Sequence, residues 1–181
     1  MNSTKNLSGI KLPLSAAGHQ PKHYVGFVPA QLLEGVVETK GVEKVADAQV
    51  DVTATMERGQ LKVKGYVEAG VSLTCSRCLK VYDLTLSGQV SRSYSEGGDP
   101  LNQSMGELEV VEELVYLEEE PFTVPPMVDE ELQLKLPMLP LCSEACKGLC
   151  PRCGVDLNKQ GCSCETGHEE SPFAALKQLK I

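Results

Sequence analysis

The sequence predicts an α+β protein, built mainly of antiparallel strands, with one helix, a cysteine-rich segment and a short C-terminal helix. Three observations predict this class. Apolar residues occupy every second position in three consecutive segments, which is the period of a half-buried strand. A later segment has apolar residues four positions apart, as on one side of a helix. The eight cysteines all lie in four close pairs.

The three alternating segments predict the centre of the fold. They are residues 48–56, 61–73 and 84–94. Because they follow one another with short connections, they predict a curled antiparallel meander, or a partly closed barrel. Gly65 and Gly88 lie inside these segments and predict bends or bulges that curl the sheet. The first cysteine pair lies between the second and third strands, so we expect it at the tip of a β-hairpin.

The N-terminal residues 1–45 carry a weaker pattern. Ile10, Leu12 and Leu14 alternate, which predicts a short edge strand. The stretch around His23 contains prolines and little alternation, which predicts a loop.

The segments after the meander predict a strand and two helices. Acidic and branched apolar residues are interleaved in residues 107–120, which predicts a strand with a charged outer face. Thr123 is expected to cap a helix that begins near Pro125, because proline is tolerated in the first helical turn. Pro137 is expected to end that helix. A short helix docked by its phenylalanine is predicted at residues 171–181.

The cysteine pairs are the strongest chemical signal in the chain. They are Cys75/Cys78, Cys142/Cys146, Cys150/Cys153 and Cys162/Cys164. A pair at such spacing supplies two thiolates to a tetrahedral metal, so four pairs make two four-cysteine sites, for which zinc is best suited. Iron–sulfur clusters also use thiolates. The turn residues Cys150-Pro-Arg-Cys153-Gly154, however, are typical of a zinc-ribbon-like segment, in which backbone N–H groups point at the sulfurs.

Four pairs can form two sites in three ways. The loop after Cys153 is short, so the first expected group is Cys150, Cys153, Cys162 and Cys164. The second expected group is Cys75, Cys78, Cys142 and Cys146. This second site would tie the hairpin tip to the end of the helix. A single metal, with the first cysteine pair free and reduced, is the alternative.

Composition and charge limit the class of function. We expect a mainly β core domain, residues 1–141, and a metal-binding segment with the C-terminal helix packed on it, residues 142–181. The formal net charge of -8 argues against a protein that coats nucleic acid through bulk attraction. The N-terminus has no signal-peptide core, and no stretch approaches the ~20 apolar residues of a membrane helix. We therefore expect a cytoplasmic protein with reduced cysteines and no membrane partner.

Four motifs follow one another along the chain. They are Cys75-Ser-Arg-Cys78-Leu79, LQLKLPMLPLC, CKGLCPRCGVDLN and SPFAALKQLK. Together they resemble the YceD family, also called large ribosomal RNA subunit accumulation proteins. The resemblance implies a non-enzymatic factor that the large-subunit 23S rRNA needs in order to accumulate or be processed. It also implies that all eight cysteines, with Arg77, Gly148 and Asn158, are motif positions.

Basic side chains near the cysteines are the candidate RNA contacts. They are Arg77, Lys80, Lys147, Arg152 and Lys159, with Tyr82 and Tyr94 as candidates either for base stacking or, equally, for packing within the barrel. Clustered by the metal sites, the basic residues would form a small positive patch able to contact a few phosphates. The alternative is that they are solvated and offset the negative charge of zinc-tetrathiolate centres. The expected partner is large-subunit ribosomal RNA or a ribosomal protein, with no small-molecule substrate.

Three other functions remain open at this point. A zinc-ribbon adaptor would bind another protein without RNA contact. A thiol–disulfide enzyme would use a Cys-x-x-Cys pair, yet such motifs usually open a helix, and Cys75 lies between two strands. A zinc hydrolase needs an open coordination position and other ligands, and the histidines match no ligand spacing, so we expect them on the surface. They are His19, His23 and His168.

Overall fold

A computed structural model of the chain describes residues 5–12, 20–96, 114–117 and 121–164. Its strands are β1 (Lys5–Asn6), β2 (Lys11–Leu12), β3 (Lys22–Val28), β4 (Val42–Val45), β5 (Ala48–Glu57), β6 (Gln60–Thr74), β7 (Val81–Glu96), β8 (Leu114–Leu117) and β9 (Phe122–Thr123). Its helices are α1 (Glu34–Val37), which follows a 3₁₀ turn at Ala30–Leu32, and α2 (Val124–Lys135). Within these ranges, no helix is long and apolar enough to cross a membrane.

Most of the strands form one mixed sheet. Its order is β1-β3-β5-β6-β7-β8, with β4 also paired to β6. Neighbours are antiparallel, except that β1 is parallel to β3 and β8 is parallel to β7. β2 and β9 form a separate two-stranded sheet. The predicted meander is confirmed as β5, β6 and β7. The sheet is not a closed barrel, because β1 and β8 stand at opposite ends of its order.

The β6–β7 hairpin determines where the first cysteines lie. Its register runs unbroken from Leu61 paired with Tyr94 to Thr74 paired with Val81. Alternate residues of β6 point into the core, where they are buried together with the inner face of β5. Residues 75–80 therefore form the tip of the hairpin, as the alternation predicts.

The bulges predicted at two strand glycines are wrong. The register is continuous through Gly65 in β6 and Gly88 in β7, and the irregularity of the sheet lies in β4 instead, between Val42 and Lys44. Both glycines allow a neighbouring element to pack closely against their strand. A Cβ on Gly65 would overlap the carbonyl oxygen of Asp51, and a Cβ on Gly88 would lie 2.7 Å from the Glu131 Cγ. The missing side chains thus let neighbouring elements come nearer.

The N-terminal region is more regular than its pattern predicts. The stretch around His23, predicted as a loop, is strand β3 and pairs with β5. His23 lies on the exposed side, with its Nε2 2.6 Å from the Asp51 Oδ1. Only Gly26 and Val28 of this strand are buried. Because glycine carries no apolar signal, the alternation that would have indicated a strand is missing from the sequence.

Helix α2 covers the core beside the hairpin. Val128 and Leu132 are fully buried, as their spacing predicts, and the helix ends before Pro137. Thr123 occupies the N-cap position, but its side chain makes no capping hydrogen bond, so that part of the prediction is wrong. The Asp129 carboxylate accepts hydrogen bonds from two backbone N–H groups at the start of α1. Helix α2 is thereby fixed at the point from which the chain runs to the second cysteine pair.

A buried charge network joins α2 to β7. The Arg92 side chain is 4% exposed and makes ion pairs with Glu130 and with the buried Glu131. Glu131 also accepts from Lys135 over 3.2 Å. Removing one partner would leave an uncompensated buried charge, so the pairing specifies how the helix sits on the hairpin.

Several predicted elements fall partly or wholly outside the described residues. Strand β2 covers residues 11–12 of the edge strand predicted at 10–14. Strand β8 covers Leu114–Leu117 of the strand predicted at 107–120. The predicted C-terminal helix, residues 171–181, lies outside.

The close approach at Gly65 can be tested by substitution. We expect Gly65→Ala to lower the free energy of unfolding by about 1–3 kcal/mol, because the strand must shift to remove the overlap. Gly70→Ala, in the same strand, is the matched control, since its Cβ would lie 3.8 Å from the Ala46 Cβ. The control should leave stability unchanged or raise it by up to about 1 kcal/mol. Urea unfolding measures both, and equal stability of the two variants would contradict the packing described.

Candidate metal centres

The eight cysteines form two clusters of four. The hairpin cluster contains Cys75, Cys78, Cys142 and Cys146. The ribbon cluster contains Cys150, Cys153, Cys162 and Cys164. Within each cluster the four Sγ atoms lie within 4.8 Å of one another, and all eight cysteines are free thiols. The structure thus brings the pairs together in the grouping that the sequence favours, and it does not leave the first pair alone.

The hairpin cluster joins two distant parts of the chain. The tip of the β6–β7 hairpin supplies one pair of thiols, and the chain leaving α2 supplies the other. The backbone N–H of Ser76 donates to the Pro140 carbonyl over 2.8 Å, which holds the two segments side by side. Tyr82, Leu141 and Leu149 pack around the sulfurs. The cluster therefore brings the sheet and the C-terminal segment together around four sulfurs that a metal ion would cross-link.

The ribbon cluster is built within one short segment. Leu149 and Asp156 form an isolated antiparallel bridge, which folds the segment back on itself. The Asp156 carboxylate then accepts from the backbone N–H of Asn158 over 3.0 Å and from its side-chain amide over 2.8 Å. These hydrogen bonds hold the pKa of the Asp156 carboxyl below its usual value. The resulting turn returns the chain toward the last cysteine pair.

Both clusters contain the same backbone turn. The turn begins at Cys75 in one cluster and at Cys150 in the other. The backbone N–H of this cysteine donates to the carbonyl of the residue five positions later, and the cysteine carbonyl accepts from the N–H of the residue four positions later. Its fourth following residue has positive φ in both, 59° at Leu79 and 71° at Gly154. Glycine adopts this conformation freely, whereas the branched leucine is strained there.

The spacing of the sulfurs fits a tetrahedral metal. Four thiolates at about 2.3 Å from a zinc ion lie about 3.8 Å from one another. The observed Sγ separations are 3.9 Å for Cys75–Cys146, 3.6 Å for Cys78–Cys142 and 3.4 Å for Cys153–Cys162. Four thiolates are the donor set of a closed structural site, in which a metal would supply a cross-link. Each cluster could therefore hold one metal ion.

Thiolate and thiol forms coexist within each cluster. Burial opposes ionisation of Cys75, but backbone N–H groups, led by that of Cys142, outweigh it and lower its pKa to about 6. Backbone N–H groups of its own turn lower the pKa of Cys150 to about 6. Neighbouring sulfurs raise the pKa of Cys142 and of Cys164 to about 12. A divalent cation is what would allow all four sulfurs of a cluster to ionise together.

Arg77 connects the two clusters. Its Nη1 donates to the Cys146 carbonyl over 2.8 Å, and its own carbonyl accepts from the Leu149 N–H over 3.2 Å. Gly148 has φ 76°, and a Cβ there would lie 3.0 Å from the Arg77 carbonyl oxygen. Arg77, a candidate RNA contact, thus has a structural role. Gly148, which has no side chain, lets its segment approach the hairpin tip.

The other candidate RNA contacts lie on the exposed surface of the same region. They are Lys80, Lys147, Arg152 and Lys159. The Lys159 Nζ lies 3.6 Å from an Asp156 carboxylate oxygen, and the backbone N–H of Lys147 donates to Asn158. Each of the five basic residues lies within three positions of a cysteine in the chain. A positive patch formed by their side chains, and its contact with RNA, stay predictions.

The sequence marks Asn158 only as a motif position of the family and leaves Tyr94 open between base stacking and packing, and the structure gives the contacts of both. Asn158 accepts from the Lys147 N–H over 2.7 Å, and its side-chain nitrogen lies 3.5 Å from the Cys146 Sγ. An asparagine two residues after an aspartate in a turn is a signal that could have found it. Tyr94, a predicted base-stacking candidate, is 4% exposed and packs on Phe122, so it cannot stack on RNA.

The fold and the clusters define a class: small proteins with an open mixed sheet tied to a cysteine-rich segment by potential all-thiolate metal sites. A family model described as "Large ribosomal RNA subunit accumulation protein YceD" matches residues 63–180, which include all eight cysteines. The chain belongs to the YceD family.

Two curated relatives extend the comparison. A Haemophilus influenzae protein named "Large ribosomal RNA subunit accumulation protein YceD" is 30% identical over 179 residues, covering 94% of this chain and 97% of that protein. An Arabidopsis thaliana protein named "Large ribosomal RNA subunit accumulation protein YCED homolog 1, chloroplastic" is 24% identical over 174 residues. That match covers 81% of this chain and 53% of the relative. No solved structure matches the chain.

Metal content tests the two clusters. Purified under reducing conditions, the protein should contain two Zn²⁺ per chain. Replacing Cys162 and Cys164 with Ser removes half of the ribbon ligands and should leave one Zn²⁺ on a folded sheet. Ser163→Ala is the matched control and should keep both. Elemental mass spectrometry with circular dichroism measures the outcome. Two ions retained by the double variant, or none in the parent, would contradict the assignment.

Metal affinity should weaken in acid. The raised pKa of Cys142 and of Cys164, about 12 each, means that these thiols carry protons that a metal must displace. Lower pH favours the protonated thiols and hence the metal-free form, whereas higher pH favours the bound form. Each displaced proton changes affinity about tenfold per pH unit. Chelator competition at about pH 8 and about pH 6 measures the slope, and a pH-independent affinity would exclude thiol displacement.

Proposed function

We propose that this protein is a non-enzymatic factor for the accumulation or processing of large-subunit 23S ribosomal RNA, with structural zinc ordering its contact surface. Family membership is the observation that carries the proposal, because the relative matched over 97% of its length is named for large ribosomal RNA subunit accumulation. The proposed site of action is the cytoplasm, where ribosomal subunits assemble. The zinc-ordered surface is the hairpin tip together with residues 142–164.

The donor sets favour a structural role over catalysis. Catalytic zinc has three protein ligands and an open position, whereas each cluster here offers four thiolates. His23, the histidine within the described ranges, lies on β3 and contacts Asp51, away from both clusters. A thiol–disulfide role of the hairpin pair also lacks support. Cys75 has 0% exposure, so a disulfide substrate has no access to its sulfur.

The net charge of the proposed contact surface determines how readily it can approach phosphate groups. The hairpin tip and residues 142–164 contain five cationic side chains and two carboxylates. Each zinc ion with four thiolates would add two negative charges. The loaded region would then be close to neutral, whereas the whole chain carries a formal net charge of -8 before the metal centres are counted, so phosphate is repelled less there than by the chain as a whole. A few direct phosphate contacts, from Lys80 and Lys147 first, are what this balance supports.

A protein adaptor is the second candidate, and exposed apolar side chains favour it. Leu79 is 63% exposed at the strained position of the hairpin turn, and Met138 is 99% exposed after α2. Met138 also borders a groove of about 280 Å³ between Gly41, Leu73 and Pro140. Exposed apolar side chains beside a groove suit a protein partner. The partner would then be a ribosomal protein, with no direct RNA contact.

Depletion and complementation test the proposed function. Depleting the protein should lower the ratio of large to small ribosomal subunits in sucrose gradients, and the parent gene should restore it. A variant with Lys80→Glu and Lys147→Glu should retain zinc but fail to restore the ratio and lose crosslinks to 23S rRNA. Lys5→Glu with Lys22→Glu is the matched control, because it changes charge equally on β1 and β3 and should behave like the parent.

The outcomes separate the candidates. An unchanged subunit ratio after depletion would reject the ribosomal role. A restored ratio with Lys80 and Lys147 reversed would reject the proposed contact surface. Crosslinks only to ribosomal proteins, mapped to Met138 and its neighbours, would support the adaptor function and reject direct contact with RNA.

A further inference from the structure

The two cysteine clusters differ in their protection from solvent. In the hairpin cluster, Cys75, Cys78 and Cys146 are buried and Cys142 is half-buried, and apolar side chains pack around the sulfurs. In the ribbon cluster, Cys150 is buried, Cys162 and Cys164 are half-buried, and Cys153 is exposed, which no cysteine of the hairpin cluster is. A small oxidant in solution therefore reaches the ribbon sulfurs first.

The exposed sulfur also has a second sulfur within easy reach. The Cys153 Sγ lies 3.4 Å from the Cys162 Sγ, which also lies 3.3 Å from the Cys150 Sγ, and of these two neighbours only Cys153 is exposed to an oxidant. Cys153 and Cys162 both lie outside the helices and strands. A bonded sulfur pair is about 2.05 Å long, so a small loop movement brings these atoms into bonding distance.

We propose that the ribbon cluster is an oxidant-sensitive metal site, in which a hydroperoxide modifies Cys153 and Cys162 completes a disulfide, while the hairpin cluster retains its metal. The proposal rests on zinc occupying both clusters, as the proposed function requires. The proposal goes further by naming Cys153 as a modification site and a hydroperoxide as its co-reactant. It also predicts that the two clusters, which look equivalent in the sequence, differ in their sensitivity to oxidation.

The reaction balances with hydrogen peroxide as the oxidant. The Cys153 thiolate attacks one peroxide oxygen, the O–O bond breaks, and the leaving hydroxide takes a proton from solvent to form water. Cys153 is then a sulfenic acid. The Cys162 thiolate attacks its sulfur and displaces a second hydroxide, which is also protonated. The two sulfurs lose two electrons in total, and these reduce the peroxide to two water molecules. Two ligands of the ribbon site are thereby removed.

Oxidation would loosen one half of the proposed contact surface and spare the other. Arg152 and Lys159 lie in the ribbon segment, whose order depends on that cluster. Arg77, in contrast, is bound to the Cys146 carbonyl and belongs to the hairpin side. The hairpin turn at Cys75 keeps its own backbone hydrogen bonds. The expected oxidised state is a folded sheet with a loosened segment 150–164.

The test uses the full-length zinc-loaded protein and hydrogen peroxide. One equivalent of peroxide should release one Zn²⁺ per chain, seen with a chromogenic zinc indicator, and should release it at least about tenfold faster than the second ion. Peptide mass spectrometry after thiol alkylation should find Cys153 joined to Cys162. A thiol reductant with added Zn²⁺ should restore the starting state.

A variant with Cys162→Ser and Cys164→Ser provides the control, because it retains the hairpin site alone. Its single Zn²⁺ should stay bound at the dose that releases one ion from the parent. Release from this variant at the same rate, both ions leaving the parent together, or a disulfide between hairpin cysteines would overturn the proposal. Parent protein that contains zinc and releases none would also overturn it. A parent without zinc would reject the structural-zinc function instead.

Discussion

The hairpin cluster is the constraint on which the arrangement of the molecule depends. Four sulfurs from a hairpin tip and from the chain after α2 meet at one point, although more than sixty residues separate the two pairs. Apolar contacts there are few, since Tyr82, Leu141 and Leu149 form a thin layer around the sulfurs. A metal bound there would cross-link the two segments at the place where the chain enters the C-terminal region. The ribbon cluster, Arg77 and the basic side chains all take their positions from it.

The free energies of zinc binding and of domain folding are similar in size, so the sheet and a metal could each stabilise its own part of the chain. Zinc binding by zinc-finger peptides contributes about 10–16 kcal/mol near neutral pH, whereas a whole domain is stable by about 5–15 kcal/mol. The meander and α2 bury an aliphatic core that stabilises the sheet. The buried side chains of residues 142–164 are those of Cys146 and Cys150, so a bound metal would supply most of the order of this segment. The proposed contact surface is attached to a stable sheet but would be ordered by a different interaction.

The sequence predicted the elements that repeat a pattern and missed those that depend on a partner. Alternation located β5, β6 and β7, and cysteine spacing located both clusters. Strand β3 was missed because its buried positions include Gly26, and strand pairing with β5 supplies what its own pattern lacks. The bulges expected at Gly65 and Gly88 were wrong, because a glycine that permits close approach has no local signal distinct from one that bends a strand. The contacts of Arg77 and Asn158 arise from tertiary packing alone.

X-ray absorption at the zinc K-edge tests the central claim most directly, because it reports the atoms bound to the metal in the intact protein. The account predicts a first shell of sulfur alone, four atoms at about 2.3 Å, averaged over both sites. A shell containing nitrogen or oxygen would show that at least one cluster does not hold its metal with four cysteines. Absence of bound zinc in protein that is fully folded would contradict the metal cross-link itself.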